Sequence, residues 1–344
     1  MRWLAGIVSI LAVIGGTLVG VGWFVLPVQL DVSRSIEISR PRATVFALVN
    51  DLQTFNEFLP WVEIDPTAAY AFSGPRAGPG QVSTWTSTST VIGSGSIRIV
   101  SAKAPVEVVY AINRGPSHTR SMFKIAGKGL RSTVTWSFTA RCPPTLEALP
   151  CRYINALAKS QIAHNYALGL AKLKLLAEKI PNVDFEGIQV SVATLAPQDF
   201  AYHDSESTLD APAMLAAERA SFGFVRDFLT RNALQLAGPP TSETLAWDEA
   251  TRKYGYRAGY AFAGAAPPVA VGVRLGKSPA GLALKTVHVG PYEALPETFL
   301  KLEAYVQAHR YRIAGAPWQV YLGADPGQEP AAPRTEVFIP IAAD

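Results

Sequence analysis

The chain has 344 residues, 49% of them hydrophobic and 17% charged, with a formal net charge of +4. This apolar content excludes intrinsic disorder, and the length is enough for two domains. The charge is mild, and no run of Lys/Arg, helix-turn-helix or zinc-finger spacing accompanies it, so nucleic acid is not expected as a partner.

From Trp3 to Leu30 no side chain is charged. As a helix, Trp3 to Leu26 would span roughly 36 Å, against a hydrocarbon core of ~30 Å. Trp3 and the Trp23-Phe24 pair stand near the two ends, where interfacial aromatics belong, and Arg2 marks the positive end. The expectation is a transmembrane anchor over residues 1–30, with the N-terminus cytoplasmic and the domains extracytoplasmic, on the periplasmic or outer face. A cleaved signal peptide is the alternative, but the apolar run is long for one and lacks a small-x-small site followed by a polar start. Ala12, Gly16 and Gly20 have small-xxx-small spacing, which fits a homodimer through this helix and fits chance glycine content equally well.

A first domain is expected over residues 31–183. It opens with an alternating strand, Val32 to Ser39, then a helix starting at Pro41 with Val45, Phe46, Leu48 and Val49 behind it. Alternating strands follow over 81–90, 94–101, 106–113, 121–125 and 132–141, the last with Val134, Trp136 and Phe138 on one face. A long helix over 152–179 closes the segment and Pro181 stops it. An early short helix, a run of strands and a late long helix predict a curved antiparallel sheet gripping the terminal helix. Cys142 and Cys151 flank a proline-containing loop. In an oxidising compartment they would close as a disulfide, contributing about 2 to 3 kcal/mol; unpaired thiols are the other reading.

The second domain, residues 184–344, contains an internal repeat. Leu236 to Pro240 is echoed by Ile313 to Pro317, and Leu245 to Asp248 by Leu322 to Asp325, in one register. A helix precedes each copy, about Pro212 to Leu234 and about Ala294 to His309. Two copies of strand, helix, strand, strand predict a pseudo-twofold domain with its groove between the copies. In the terminal strand, Arg334 to Ile341, two-residue alternation places Val337, Ile339 and Ile341 on one face and Glu336 with Phe338 on the other. A carboxylate in such a run has a partner, lines a cavity or meets a positive ligand. An edge strand with Glu336 solvated or salt-bridged is the bland alternative. No acid stands at the equivalent place in the first copy, Tyr254 to Phe262, and this asymmetry marks Glu336 as a candidate ligand residue.

Catalytic motifs are missing: there is no Gly-x-Ser-x-Gly elbow, His-Glu-x-x-His or phosphate loop. His118, His164, His203, His288 and His309 are scattered without metal spacing, so neither metal nor cofactor is expected.

Two resemblances sharpen this reading. Ser35 to Ile38 with Pro41 and Val45-Phe46, then Asn50-Asp51, Phe58 to Trp61, Asp65-Pro66, Gly78 to Gly80, Trp85, and Gly169-Leu170 with Leu173-Lys174 make residues 31–183 similar to the START-like or SRPBCC superfamily, which includes polyketide cyclase-like proteins. That implies a helix-grip fold with a deep apolar cavity, and Trp61 and Trp85 as candidate lining residues. Val289 to Tyr292, Gly315 to Trp318, Tyr321, Asp325-Pro326 and Arg334 to Ile341 make the second domain resemble the GyrI-like small-molecule-binding domain, also found as the effector domain of multidrug-responsive transcription activators. This implies Glu336 at the base of an aromatic-lined pocket, with Tyr292, Trp318 and Tyr321 around it. Aromatic faces and a carboxylate suit a lipophilic cation.

The expected fold class is therefore α+β, a helix-grip domain followed by a pseudo-twofold GyrI-like domain, with one N-terminal transmembrane helix. The expected function is capture or sensing at a membrane of lipophilic small molecules, whether neutral or cationic. A hydrolase or cyclase-like enzyme using Glu336 is one alternative, and an envelope interaction scaffold is another.

Overall fold

The computed structural model describes residues 2–89, 92–114, 117–267, 272–322 and 333–343. The chain divides into two compact units, Met1–Asp184 and Phe185–Asp344.

The first unit begins with α1 (Arg2–Gly20), which continues into a π-helical turn, Val21–Val25. The segment Gly6–Val25 has a mean hydropathy of 2.1 and is only 6% buried. A helix that is apolar all round and packed on so little is not part of a soluble core. Side chains added at Gly16 or Gly20 would start in open space, and Ala12 is exposed on the same helix.

Beyond it come β1 (Gln29–Ile38), α2 (Arg42–Val49), α3 (Leu52–Phe58), α4 (Trp61–Ile64), β2 (Ala69–Ser73), β3 (Val82–Thr86), β4 (Gly95–Lys103), β5 (Glu107–Arg114), β6 (Ser117–Lys128), β7 (Arg131–Arg141) and α5 (Leu149–Ala177). The strands form one antiparallel sheet in the order β1-β7-β6-β5-β4-β3-β2, and α5 packs on β1 and β7. Asp51 starts α3 by accepting from the Gln53 amide at 3.0 Å, a cap that satisfies an amide the helix itself cannot. The elements α3, α4 and β2 are too short to show a period and were not anticipated. Thr90, at the end of the expected 81–90 strand, lies outside the described residues.

Period-2 alternation along β7 turns Val134 and Trp136 inward, both at most 1% exposed. The Trp136 ring stacks between Phe123 (4.8 Å) and Tyr166 of α5 (3.8 Å). Its Nε1 donates to Ser121 Oγ at 2.7 Å, and Ser121 Oγ also bonds Tyr166 Oη at 3.2 Å. Gly169 makes this contact feasible, because a Cβ there would lie 2.6 Å from Trp136 Cζ3. With Phe55 and Phe58 edge-on to the same indole, side chains of the unit itself occupy the part of the space between sheet and α5 that surrounds Trp136. Trp61 is half-buried at the border of this cluster, 6.5 Å from Trp136 and 6.3 Å from Tyr166. Trp85 is half-buried on β3 and lies over Gly95, where a Cβ would come within 2.5 Å of the indole. Cys142 and Cys151 are joined in a disulfide.

The second unit contains β8 (Ser191–Leu195), β9 (Asp199–Thr208), α6 (Ala211–Arg231), β10 (Gln235–Leu236), β11 (Thr241–Asp248), β12 (Lys253–Ala263), β13 (Arg274–Lys277), β14 (Gly281–Val289), α7 (Leu295–Ala308), β15 (Trp318–Leu322) and β16 (Arg334–Pro340). The strand order is β13-β9-β12-β11-β15-β16-β14-β8, with β10 also on β12. Around the central β11–β15 pair the order reads the same in both directions: β9-β12-β11 carries α6, and β15-β16-β14 carries α7. Ser242 opposite Gln319 marks the centre. The repeat thus becomes a pseudo-twofold sheet with both helices packed on one face, where Phe222, Val225, Leu302, Val306 and Val337 share a core. The repeat and resemblance residues Gly323 to Pro326 lie outside the described residues.

Candidate functional site

Helix α6 sets up the site. Asp210 caps it, accepting from the Ala213 amide at 3.1 Å, and Pro212 sits in its first turn. Its inward stripe runs Leu215, Phe222, Val225 and Leu229 at three- and four-residue spacing, and the position that completes the stripe is Glu218. This carboxyl is 3% exposed.

Four uncharged donors from three strands converge on it. Ser242 Oγ of β11 donates to Oε1 at 2.8 Å and Tyr254 Oη of β12 at 2.6 Å. Tyr321 Oη of β15 donates to Oε2, and Gln319 Nε2 approaches both oxygens at 3.3 and 3.5 Å while donating to Tyr321 Oη at 2.8 Å. Burial pushes the Glu218 pKa above its ordinary value, against the pull of these hydrogen bonds. The same burial, with Glu218 close by, pushes the Tyr254 and Tyr321 hydroxyls well up, so both stay donors.

Glu218 lines a cavity of about 440 Å³ between α6 and α7. Met214, Leu215, Leu295 and Phe299 supply apolar wall, and Tyr254, Tyr292 and Tyr321 supply aromatic wall. Tyr292 packs edge-on against Tyr321 at 5.1 Å. Trp247, 49% exposed, stands 6.0 Å from the Tyr254 ring and is positioned to cover an occupant. Glu249 and Glu303 also line the cavity, so its described lining carries three carboxylates and no Lys, Arg or His. A site of this sign and polarity is suited to an apolar cation.

Of the residues singled out from sequence, Tyr292 and Tyr321 lie in this cavity. Glu336 and Trp318 do not. Both point to the opposite face of the sheet, where Trp318 stacks on Phe338 at 5.0 Å and Glu336 Oε1 accepts from Lys285 Nζ at 2.7 Å. The expected pocket-base position of Glu336 is therefore corrected: strand alternation separated the faces properly, but α6 and α7 cover the face of Val337 and Ile339. The expected asymmetry with the first copy is a change of sign. By sheet register Glu336 faces Val320 as Arg257 faces Glu243, and Arg257 is likewise paired, with Asp204 at 2.9 Å and Glu243 at 3.3 Å. Glu218 escaped the sequence reading although its signal was present, an acid on the apolar stripe of an amphipathic helix. Trp61 and Trp85 belong to the other unit and pack there as described.

Comparison with known proteins agrees with this architecture. Residues 29–178 match the family described as polyketide cyclase / dehydrase and lipid transport. Residues 188–342 match the GyrI-like small molecule binding domain. No curated protein matches the chain. Among solved structures, the C-terminal domain of EcmrR is 15% identical with a TM-score of 0.40, covering 46% of this chain and 99% of that one. A Thermobifida fusca protein solved in solution is 20% identical with a TM-score of 0.34, covering 43% and 93%. Truncated norcoclaurine synthase from Thalictrum flavum is 10% identical with a TM-score of 0.34, covering 44% and 95%. EcmrR has also been solved bound to DNA, in a structure 13% identical to this chain with a TM-score of 0.40.

Proposed function

We propose that the protein is a membrane-anchored binding protein, with its domains outside the cytoplasm, that takes lipophilic organic cations into the cavity of its second domain. One observation carries this reading: a carboxyl 3% exposed, held only by uncharged donors among the described residues, faces an apolar and aromatic cavity lined by no basic residue. An ionised group in such a place is costly, and a cation seated against it removes that cost. The tyrosines add ring faces for the same cation. The match of residues 188–342 to a small-molecule-binding family supports the reading. The apolar α1 supports the anchor, and the disulfide between Cys142 and Cys151 supports an oxidising location.

Tetraphenylphosphonium and tetraphenylborate, nearly equal in size and opposite in charge, test it. Titrated into the full chain in lipid nanodiscs, the cation binds and the anion does not. Equal affinity for both, or a preference for the anion, refutes the cation reading.

A further inference from the structure

Helix α5 does not simply follow the sheet; its first turns run beside the end of the apolar N-terminal helix. Tyr153 Oη donates to the Leu18 carbonyl at 2.6 Å. Arg152 Nη1 donates to the carbonyls of Gly22 (3.1 Å), Trp23 (3.0 Å) and Leu26 (3.5 Å), and its guanidinium lies 4.9 Å over the Trp23 ring. Gly22 lets the two segments close up, since a Cβ there would meet Leu149 and Tyr153 at 2.9 Å. Arg152 thus takes carbonyls that the end of a helix leaves without partners, and it is itself only 4% exposed.

These contacts fix a depth. Leu18 is seven residues before Val25, roughly 10 Å along a helix axis. The apolar segment Gly6–Val25 has 20 residues, which as a helix is about 30 Å, the thickness of a hydrocarbon core. A span over those residues therefore places the start of α5 alongside its last 10 Å or so, the depth at which interfacial helices bury their apolar faces. Several exposed side chains there are apolar: Leu146 is 61% exposed, Ile154 63% and Leu157 80%, as are Phe24 at 85% and Val25 at 70% at the end of the span, while the exposed Glu147 beside Leu146 faces the headgroups. One turn further along α5 the exposed residues become polar, Lys159, Ser160, Gln161 and His164.

We infer that the turn at Leu146 and the first turns of α5 are a lipid-immersed foot, which presses Leu146, Ile154 and Leu157 into the acyl boundary of the bilayer beside the span and ends at Lys159. The inference rests on the reading of the N-terminal helix as a retained span. Enclosing Arg152 in carbonyls and the Trp23 face keeps its charge out of lipid while its neighbours enter it. The disulfide from Cys142 to Cys151 holds the Leu146 turn against the helix start. The foot fixes how the first domain stands on the membrane.

Leu175 provides an internal control, since it is 65% exposed and 18 residues, or five turns, beyond Leu157 on the same helix face. Leu157→Cys and Leu175→Cys, each carrying an NBD fluorophore in the full chain reconstituted into phosphatidylcholine vesicles, are compared for quenching by doxyl-labelled acyl chains and by aqueous iodide. The expected result is lipid quenching with iodide protection at position 157, and the reverse at 175. Iodide quenching at both positions, with the chain still resistant to carbonate extraction, overturns the foot and leaves the anchor standing. Extraction by carbonate overturns both. A blue-shifted label at 157 that neither quencher reaches shows a protein partner on that surface instead of lipid. Lipid quenching at both positions overturns the boundary at Lys159.

Discussion

Glu218→Gln keeps the shape of the side chain and removes its charge, so it isolates the electrostatic part of the cavity. The fold tolerates it: Ser242, Tyr254 and Tyr321 all approach through hydroxyls, which rotate to accept from the new amide as readily as they donate to the carboxylate. For a cation about 5 Å from the carboxylate, an effective dielectric of ~20 gives an attraction of roughly 3 kcal/mol. Keeping Glu218 ionised while 3% exposed takes part of this back. The expected net loss is about 2 kcal/mol, a roughly 30-fold weaker Kd for tetraphenylphosphonium. Isothermal titration in nanodiscs, with empty nanodiscs subtracted, reads the difference directly, and the melting transition checks that folding is kept. Affinity within a factor of two of the parent, with the fold intact, refutes the assignment of Glu218 as the cation's counter-charge.

Binding is also expected to depend on pH. Burial raises the folded-state pKa of Glu218 above its ordinary 4.5, so the folded chain holds this proton more tightly than the unfolded chain. The resulting stability is fully present below 4.5 and is lost as pH rises through the raised value. A permanent cation favours the ionised form, so its affinity rises over the same window with release of a proton; calorimetry in buffers of different ionisation enthalpy detects the proton, and Glu218→Gln abolishes it. Glu336→Gln breaks only the partly exposed pair with Lys285, whose side chains are 24% and 29% exposed. It should cost no more than about 1 kcal/mol in denaturant melts and leave cation affinity unchanged; a large affinity loss would return Glu336 to the site. Gly169→Ala places a methyl group 2.6 Å from Trp136 Cζ3, and the expected destabilisation is about 1 to 3 kcal/mol, followed by tryptophan fluorescence during urea unfolding.

Much of the architecture was legible along the chain because it is written in local periods. The uncharged stretch from Trp3 to Leu30, the alternation through Val134 and Trp136, and the paired segments Leu236 to Pro240 and Ile313 to Pro317 each report on neighbours a few residues away. Even the two faces of β16 were separable, with Val337 and Ile339 on one and Glu336 on the other. The ring cluster around Trp136 in the first unit was less legible, since only packing shows that Gly169 admits Trp136 between Phe123 and Tyr166.

By itself, then, the sequence determined the kinds of the longer elements, the two-domain order, the twofold repeat and the presence of one apolar helix. The tertiary structure decided which acid meets the cavity. Alternation says that a strand has two faces, but not which one the helices will cover; α6 and α7 pack on the Val337 side, leaving Glu336 to Lys285. Glu218 becomes a site only when Ser242, Tyr254 and Tyr321 arrive from 24, 36 and 103 residues away. Those separations are set by the closing of the pseudo-twofold sheet, which no local period encodes.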